Sequence, residues 1–168
     1  RPCYLVPNKT QIQTAISLPA SLPTNSCTFS AYFYRTSATI HGWTTLVGFN
    51  TSANNSVLTG SASILHYTEN LAVRDDSGSS MYTGNPIPGY DEWIHFCITY
   101  DNNGSSSSGK IYINGVHETT YSNTTLNIAK YVIGQGTYQA GFYLNDVRVY
   151  DKVLSDSEVS SLYGYISQ

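Results

Sequence analysis

Charge is what this chain of 168 residues has least of. Asp, Glu, Lys and Arg together make 11% of it, against about a quarter in an ordinary soluble domain. The eight Lys and Arg are scattered, and the formal net charge is −3. A nucleic-acid binder carries a basic face, so no nucleic-acid partner is expected. No apolar run is long enough to cross a membrane as a helix, so no membrane insertion is expected either. The longest, around Ile94 to Ile98, has the length of a strand. Cysteine is sparse, with Cys3, Cys27 and Cys97 only. These three and the dispersed His41, His66, His95 and His117 give no zinc spacing. Glu is sparse too, limited to Glu69, Glu92, Glu118 and Glu158.

Hydroxyls and amides fill the gap. Ser, Thr and Asn make 53 residues and Tyr makes 15. A surface solubilised this way is expected outside cells or on a virion. Five sequons, at Asn8, Asn50, Asn54, Asn103 and Asn123, agree with a glycosylated secreted product. A chain so rich in Asn, Ser and Thr also generates sequons by chance. The start at Arg1 fits a processed mature protein or a fragment of a longer one.

The chain reads as short strands. Trp93 to Tyr100 is dense in aromatic and β-branched residues, and Lys110 to Asn114 places Ile111 and Ile113 on one face. Between them, Asp101 to Gly109 reads as a flexible loop without core residues. Thr28 to Arg35 alternates, with Phe29, Ala31 and Phe33 on one face and Ser30, Tyr32 and Tyr34 on the other. Further strands are expected at Tyr4 to Val6, Thr14 to Leu18, Trp43 to Phe49, Val57 to Tyr67 (broken at Gly60), Leu71 to Arg74, Met81 to Tyr82, Val116 to Tyr121, Tyr131 to Ile133 and Phe142 to Tyr150. One short helix is expected near the C-terminus. Ser155 caps it, Glu158 completes a capping box, and Leu154 and Val159 staple it. Gly164 suits its left-handed end, and Val159, Leu162 and Tyr163 form its apolar face. Many strands with one late helix and no crossover helices give an all-β, two-sheet antiparallel sandwich, a single domain over residues 1–168.

Three blocks of sequence resemble the laminin-G-like, or concanavalin A-like, lectin/glucanase jelly roll. The first is Ile16-Ser17-Leu18-Pro19 followed by Cys27 to Phe33. The second is Trp93-Ile94-His95-Phe96-Cys97-Ile98-Thr99-Tyr100-Asp101 with Ile111-Tyr112-Ile113-Asn114-Gly115. The third is Ile133-Gly134, Gly141, Asn145 to Tyr150, Leu154-Ser155 and Glu158. The resemblance implies two curved antiparallel sheets that bind sugars, peptides or proteins at loops or on a concave face. It puts Cys97 where the family has a small buried Ala. It makes Trp93, His95, Asp146 and Tyr150 framework residues, with Asp146 accepting hydrogen bonds from nearby backbone.

Enzymes on this fold are chiefly glycoside hydrolases, which need two carboxylates flanking the scissile bond. Glu158 is taken by the helix cap, and Asp91 and Glu92 are adjacent and aim apart along a strand. No Gly-x-Ser-x-Gly elbow occurs. Catalysis is therefore not expected. Calcium is the one cofactor the residues suggest, at Asp75 and Asp76 or at Asp101 with Asn102. Each group reads equally as an ordinary turn. For ligand binding, Trp43, Tyr90, Tyr138 and Gln139 combine aromatic faces with an amide, the chemistry that grips sugars. Cys3 and Cys27, both near strand edges, are the pair that an oxidising compartment would join, or they remain thiols. Cys97 is expected to pack in the core.

Two readings follow. One is a lectin-like or adhesion module recognising a glycan or a surface protein. The other is a structural or decorating subunit of a virion or extracellular assembly, with homo-oligomer contacts. A carbohydrate-active enzyme is the weaker third. The binding site is expected in loops at the sandwich edge, away from Trp93 to Gly115.

Overall fold

The computed structural model describes residues 4–5, 10–12, 16–17, 21–35, 44–49, 63–67, 70–75, 80–102, 107–122, 126, 128, 131–133 and 142–166. They form thirteen strands and one helix. The strands are β1 (Tyr4–Leu5), β2 (Thr10–Ile12), β3 (Ile16–Ser17), β4 (Cys27–Arg35), β5 (Thr44–Phe49), β6 (Ser63–Tyr67), β7 (Asn70–Arg74), β8 (Ser80–Tyr82), β9 (Trp93–Asn102), β10 (Ser107–Ile113), β11 (Val116–Ser122), β12 (Tyr131–Ile133) and β13 (Phe142–Tyr150). The helix α1 is Asp156–Ile166. One sheet runs β1-β13-β4-β9-β10-β11, with β2 also paired to β13, and the other runs β3-β12-β5-β6-β7-β8. The pairings are antiparallel. The expected all-β, two-sheet sandwich is the fold.

Alternation along the strands decides what lies between the sheets. Phe29, Ala31 and Phe33 of β4 point inward with Ile94, Phe96 and Ile98 of β9. They meet Leu46, Val47, Phe49, Leu71, Val73 and Tyr131 of the opposite sheet. Phe29 stacks on Phe96 at 5.8 Å within its own sheet and on Tyr131 of the other at 6.3 Å. Each such side chain contributes about 1.5–3 kcal/mol by leaving water.

The outer face of the seven-stranded sheet carries a second, smaller core. Cys97 and Tyr112, directly opposite each other on β9 and β10, pack with Tyr150, Leu154, Val159 and Leu162. The expected apolar side of α1 is thus laid on the sheet, and Cys97 is fully buried as expected. The capping box is formed. Ser155 N donates to Glu158 Oε2 at 2.9 Å, and Glu158 N donates to Ser155 Oγ at 3.3 Å.

Three local expectations are corrected. The loop assigned to residues 101–109 is shorter, because β9 continues to Asn102 and β10 starts at Ser107. Ser107 is buried, and a Cβ on Gly109 would collide with the Thr99 carbonyl and the Tyr121 ring. A glycine that read as flexibility is a close approach of backbone to an aromatic side chain. Gly164 does not end the helix, which runs through it to Ile166. The glycine needed for its backbone is Gly115, at φ 77° beside Asn114 at φ 49°. Two positive values in a row are what a two-residue type I′ turn between β10 and β11 requires.

Candidate functional site

The helix and the sheet leave a cleft of about 700 Å³ between them. The outward positions of three adjacent strands floor it: Thr99 and Asp101 on β9, Ser108 and Lys110 on β10, Thr120 on β11. The segment Val153 to Glu158 walls it. Thr28 of β4 pins that wall. Its Oγ1 donates to the Lys152 carbonyl at 2.8 Å and accepts from Leu154 N at 2.9 Å. Two side chains then tie the helix start to the floor. Lys110 Nζ and Tyr112 Oη both donate to Asp156 Oδ1, at 2.7 and 2.8 Å. Lys152, which lines a neighbouring hollow, pairs with Glu158. A shallower hollow of about 510 Å³ lies on the other side of the same helical turn, lined by Tyr150, Ser161 and Leu162 among others.

The cleft is open, and its lining mixes hydroxyls and carboxylates with a larger share of apolar surface. Hydroxyls come from Thr99, Ser108, Thr120, Ser155 and Ser157, and carboxylates from Asp101, Asp156 and Glu158. Val153, 39% exposed, supplies an apolar face. Lys110 and Tyr112 hold the Asp156 carboxyl below its ordinary range. The Lys152 ammonium, helped by the Ser155 amide, brings Glu158 down to about 2. Neither is the raised, protonated carboxylic acid that a glycosidase uses to protonate its leaving group.

The framework residues are placed beside this cleft, on the same outer face. His95 is fully buried. Its Nε2 lies 2.9 Å from Ser30 Oγ. Its backbone N donates to Asn114 Oδ1, and Asn114 N donates back to the His95 carbonyl. Tyr163 of α1 lies over its ring at 5.7 Å. Burial, reinforced by the Arg148 cation, pushes the His95 pKa down to about 4. Trp93 joins a cross-strand row with Tyr34 and Tyr143, at 5.5 and 5.9 Å. Asp146 differs from expectation. A bulge in β13 between Asn145 and Arg148 holds it at φ 51°, and its Oδ1 accepts from Arg148 Nε at 2.8 Å. The partner is a guanidinium two residues on, in place of neighbouring backbone.

Of the sequence-predicted site residues that are described, Asp101 alone lines this cleft. Tyr90 is exposed, on the loop before β9, and is not one of its walls. Trp43, Tyr138, Gln139 and Asp76 lie outside the described residues, as do Cys3 and the sequon residues Asn8, Asn50, Asn54, Asn103 and Asn123. Of the two alternative calcium groups, Asp75 is buried just after β7, and Asp101 and Asn102 end β9. Asp101 Oδ1 accepts from Ser26 Oγ at 2.8 Å. No group of three His, Cys, Asp or Glu among the described residues forms a metal set. Cys27 is a free thiol. Its Sγ lies 3.3 Å from Tyr131 Oη, and burial pushes its pKa up to about 11. Sequence reasoning missed Lys110, Tyr112 and Asp156. The one available signal was the polar, outward alternation of Lys110 and Tyr112 opposite buried Ile111.

Two packed antiparallel sheets with a capping helix define a jelly-roll sandwich of the lectin and glucanase kind. A family model described as the concanavalin A-like lectin/glucanases superfamily matches residues 8–160, and the chain belongs to that superfamily. No curated protein matches it by sequence. Among solved structures it is similar to the botulinum neurotoxin serotype D binding domain, with TM-score 0.66 and 14% identity, covering 98% of this chain and 46% of that one. It is similar to the serotype D ligand binding domain in complex with N-acetylneuraminic acid, with TM-score 0.64 and 15% identity over 99% of this chain and 45% of that one. It is also similar to Trypanosoma rangeli sialidase in complex with 2,3-difluorosialic acid, with TM-score 0.68 and 17% identity over 94% of this chain and 27% of that one. The chain spans less than half the length of these proteins, and at such identities the likeness is one of fold.

Proposed function

We propose that this chain is a non-catalytic, lectin-like binding module that recognises glycans at an extracellular or particle surface. The observation that carries this reading is the cleft between the β9–β11 floor and the start of α1. It offers many hydroxyl and carboxylate groups beside an apolar surface that includes Tyr112, Val153 and Leu154, spread over an open cleft. Sugars bind through many hydrogen bonds and one apolar contact, whereas a lipid or drug-like ligand needs an enclosed apolar pocket. Binding domains among the structural neighbours, one of them bound to N-acetylneuraminic acid, support the general class. The lowered carboxyls of Asp156 and Glu158 favour binding without turnover.

A glycan-array screen of the wild-type chain and of Thr120→Arg tests the reading. Thr120 is exposed on the cleft floor, so a long side chain there fills the site without touching the core. Wild type binds a set of glycans, Thr120→Arg loses them, and the bound sugars are recovered unhydrolysed. An array with no bound glycan contradicts the proposal.

A second reading, a subunit of a surface assembly, draws on β11. It is the last strand of its sheet, and Val116 on it is 61% exposed. A paired edge strand would bury both. Light scattering across a concentration series separates the two readings, since an assembly subunit oligomerises.

A further inference from the structure

Under α1 lies a patch of polar groups that neither protein nor solvent reaches. The His95 ring is fully buried, with Tyr32 of its own sheet 4.9 Å away and Tyr163 of α1 over it at 5.7 Å. Its Nε2 meets Ser30 Oγ, and its Nδ1 has no partner. Tyr32 Oη and Asn145 Oδ1 are buried and unpartnered too. Asn145 lies directly opposite Tyr32, and Tyr32 directly opposite His95. Water on these atoms would recover free energy that closing the helix gives up. Tyr163 also packs on the Gly115 turn, where a Cβ would lie 3.0 Å from its side chain. The described charged groups that face His95 come from β13. The Arg148 cation disfavours a second positive charge, and Asp146 is paired to that same Arg148. On β4 lie Ser30 and Tyr32, on β9 itself Trp93 and Cys97, at the turn Asn114 and on α1 Tyr163. None of these is an anion that could hold a proton on the ring.

We propose that α1 is an acid-released strap: protonation of His95 frees the helix from the seven-stranded sheet while the two sheets stay packed. A helix of 11 residues does not persist in water by itself, so α1 melts as it leaves and takes the cleft wall with it. His95 binds a proton more tightly once water reaches it. Its pKa is about 4 beneath the helix against 6.5 for the free side chain, mainly through burial, so acid favours the released form. Asp156 and Glu158 have ordinary values of 3.8 and 4.5 that folding lowers, so they respond only at more acid pH.

The test is native-state hydrogen exchange of the whole chain at about pH 7 and about pH 5, each over a series of low urea concentrations, with rates corrected for intrinsic exchange. The α1 amides are expected to be less protected than those of β4 and β9 and to respond little to urea, as a small opening does. Their protection is expected to fall about 20-fold between the two pH values. Helix amides that share the protection and urea slope of the strands overturn the strap, because α1 then leaves only when the whole chain unfolds. Helix protection that ignores pH overturns the acid trigger. His95→Gln is expected to abolish the fall, and an equal fall in that variant overturns the proposal. Tyr163→Ala uncovers the ring from the helix side, away from the sheet core. In that variant the NMR titration midpoint of His95 is expected to rise from about 4 toward 6.5. An unmoved midpoint counts against α1 as the cover.

Discussion

Tyr112 Oη donates to Asp156 Oδ1 at 2.8 Å, joining the C-terminal end of β10 to the first turn of α1 across 44 residues of sequence. Tyr112 is buried at its ring, so its hydroxyl is the polar end of an apolar anchor. The bond fixes the cleft wall over the cleft floor. Tyr112→Phe keeps the ring and removes the donor. A net hydrogen bond of this kind contributes about 1 kcal/mol. Urea unfolding should show a loss of that size with an unchanged m-value. No loss would mean that the helix start is held by Thr28, Lys110 and the capping box.

Gly109 tests how tightly the base of the β9–β10 hairpin is packed. A Cβ there would overlap the Thr99 carbonyl and the Tyr121 side chain, whose hydroxyl donates to the same Thr99 carbonyl. Overpacking of this kind costs about 1–3 kcal/mol. Gly109→Ala should lose about that much unfolding free energy, read as a lower urea midpoint at unchanged m-value. A neutral effect would restore the loop that the Gly and Ser composition suggested.

His95 makes stability depend on pH. Its folded pKa, about 4, lies below the ordinary value of 6.5 given for the free side chain. The unfolded chain therefore binds a proton first. Stability is intact above pH 6.5 and falls as pH drops toward 4, by about 1.4 kcal/mol per unit. Glu158 adds its own loss only below its unperturbed value of 4.5, as its folded pKa of about 2 is approached. Among the described groups with a shift, the window from pH 6.5 to about 4.5 thus belongs to His95. His95→Gln should flatten the stability curve in that window. The same slope in the variant would assign it to another group.

Cys27 and Cys97 should be inert while the chain is folded. Cys97 is fully buried, and burial pushes both thiols up, which removes the reactive thiolate. Iodoacetamide followed by peptide mass spectrometry should label both only after denaturation. Fast labelling of native Cys27, or its recovery in a disulfide with Cys3, would contradict the packing against Tyr131.

Most of the sandwich was legible because its signals are local. The alternation of Phe29, Ala31 and Phe33, the Trp93 to Tyr100 run and the Ser155–Glu158 box each specify an element within a few residues, and each element forms where expected. What failed was non-local. Ser107 to Gly109 carry loop-forming composition, and only contact with Tyr121 and Thr99 makes them strand. Gly164 has the residue type of a helix end, but α1 continues past it. The cleft was not legible at all. Its floor comes from residues 99–120 and its wall from 153–158, so no spacing within either segment announces it. Expectation placed the site in loops and read the central hairpin as framework; the proposed site takes the outward face of that hairpin as its floor.

The most direct measurement is an NMR titration of the ¹⁵N-labelled chain with an oligosaccharide that the array identifies. The account predicts amide shifts confined to Thr99, Asp101, Ser108 to Tyr112, Thr120 and Val153 to Glu158, saturating with a single Kd. Shifts that cluster elsewhere, or none at all up to millimolar sugar, would contradict it.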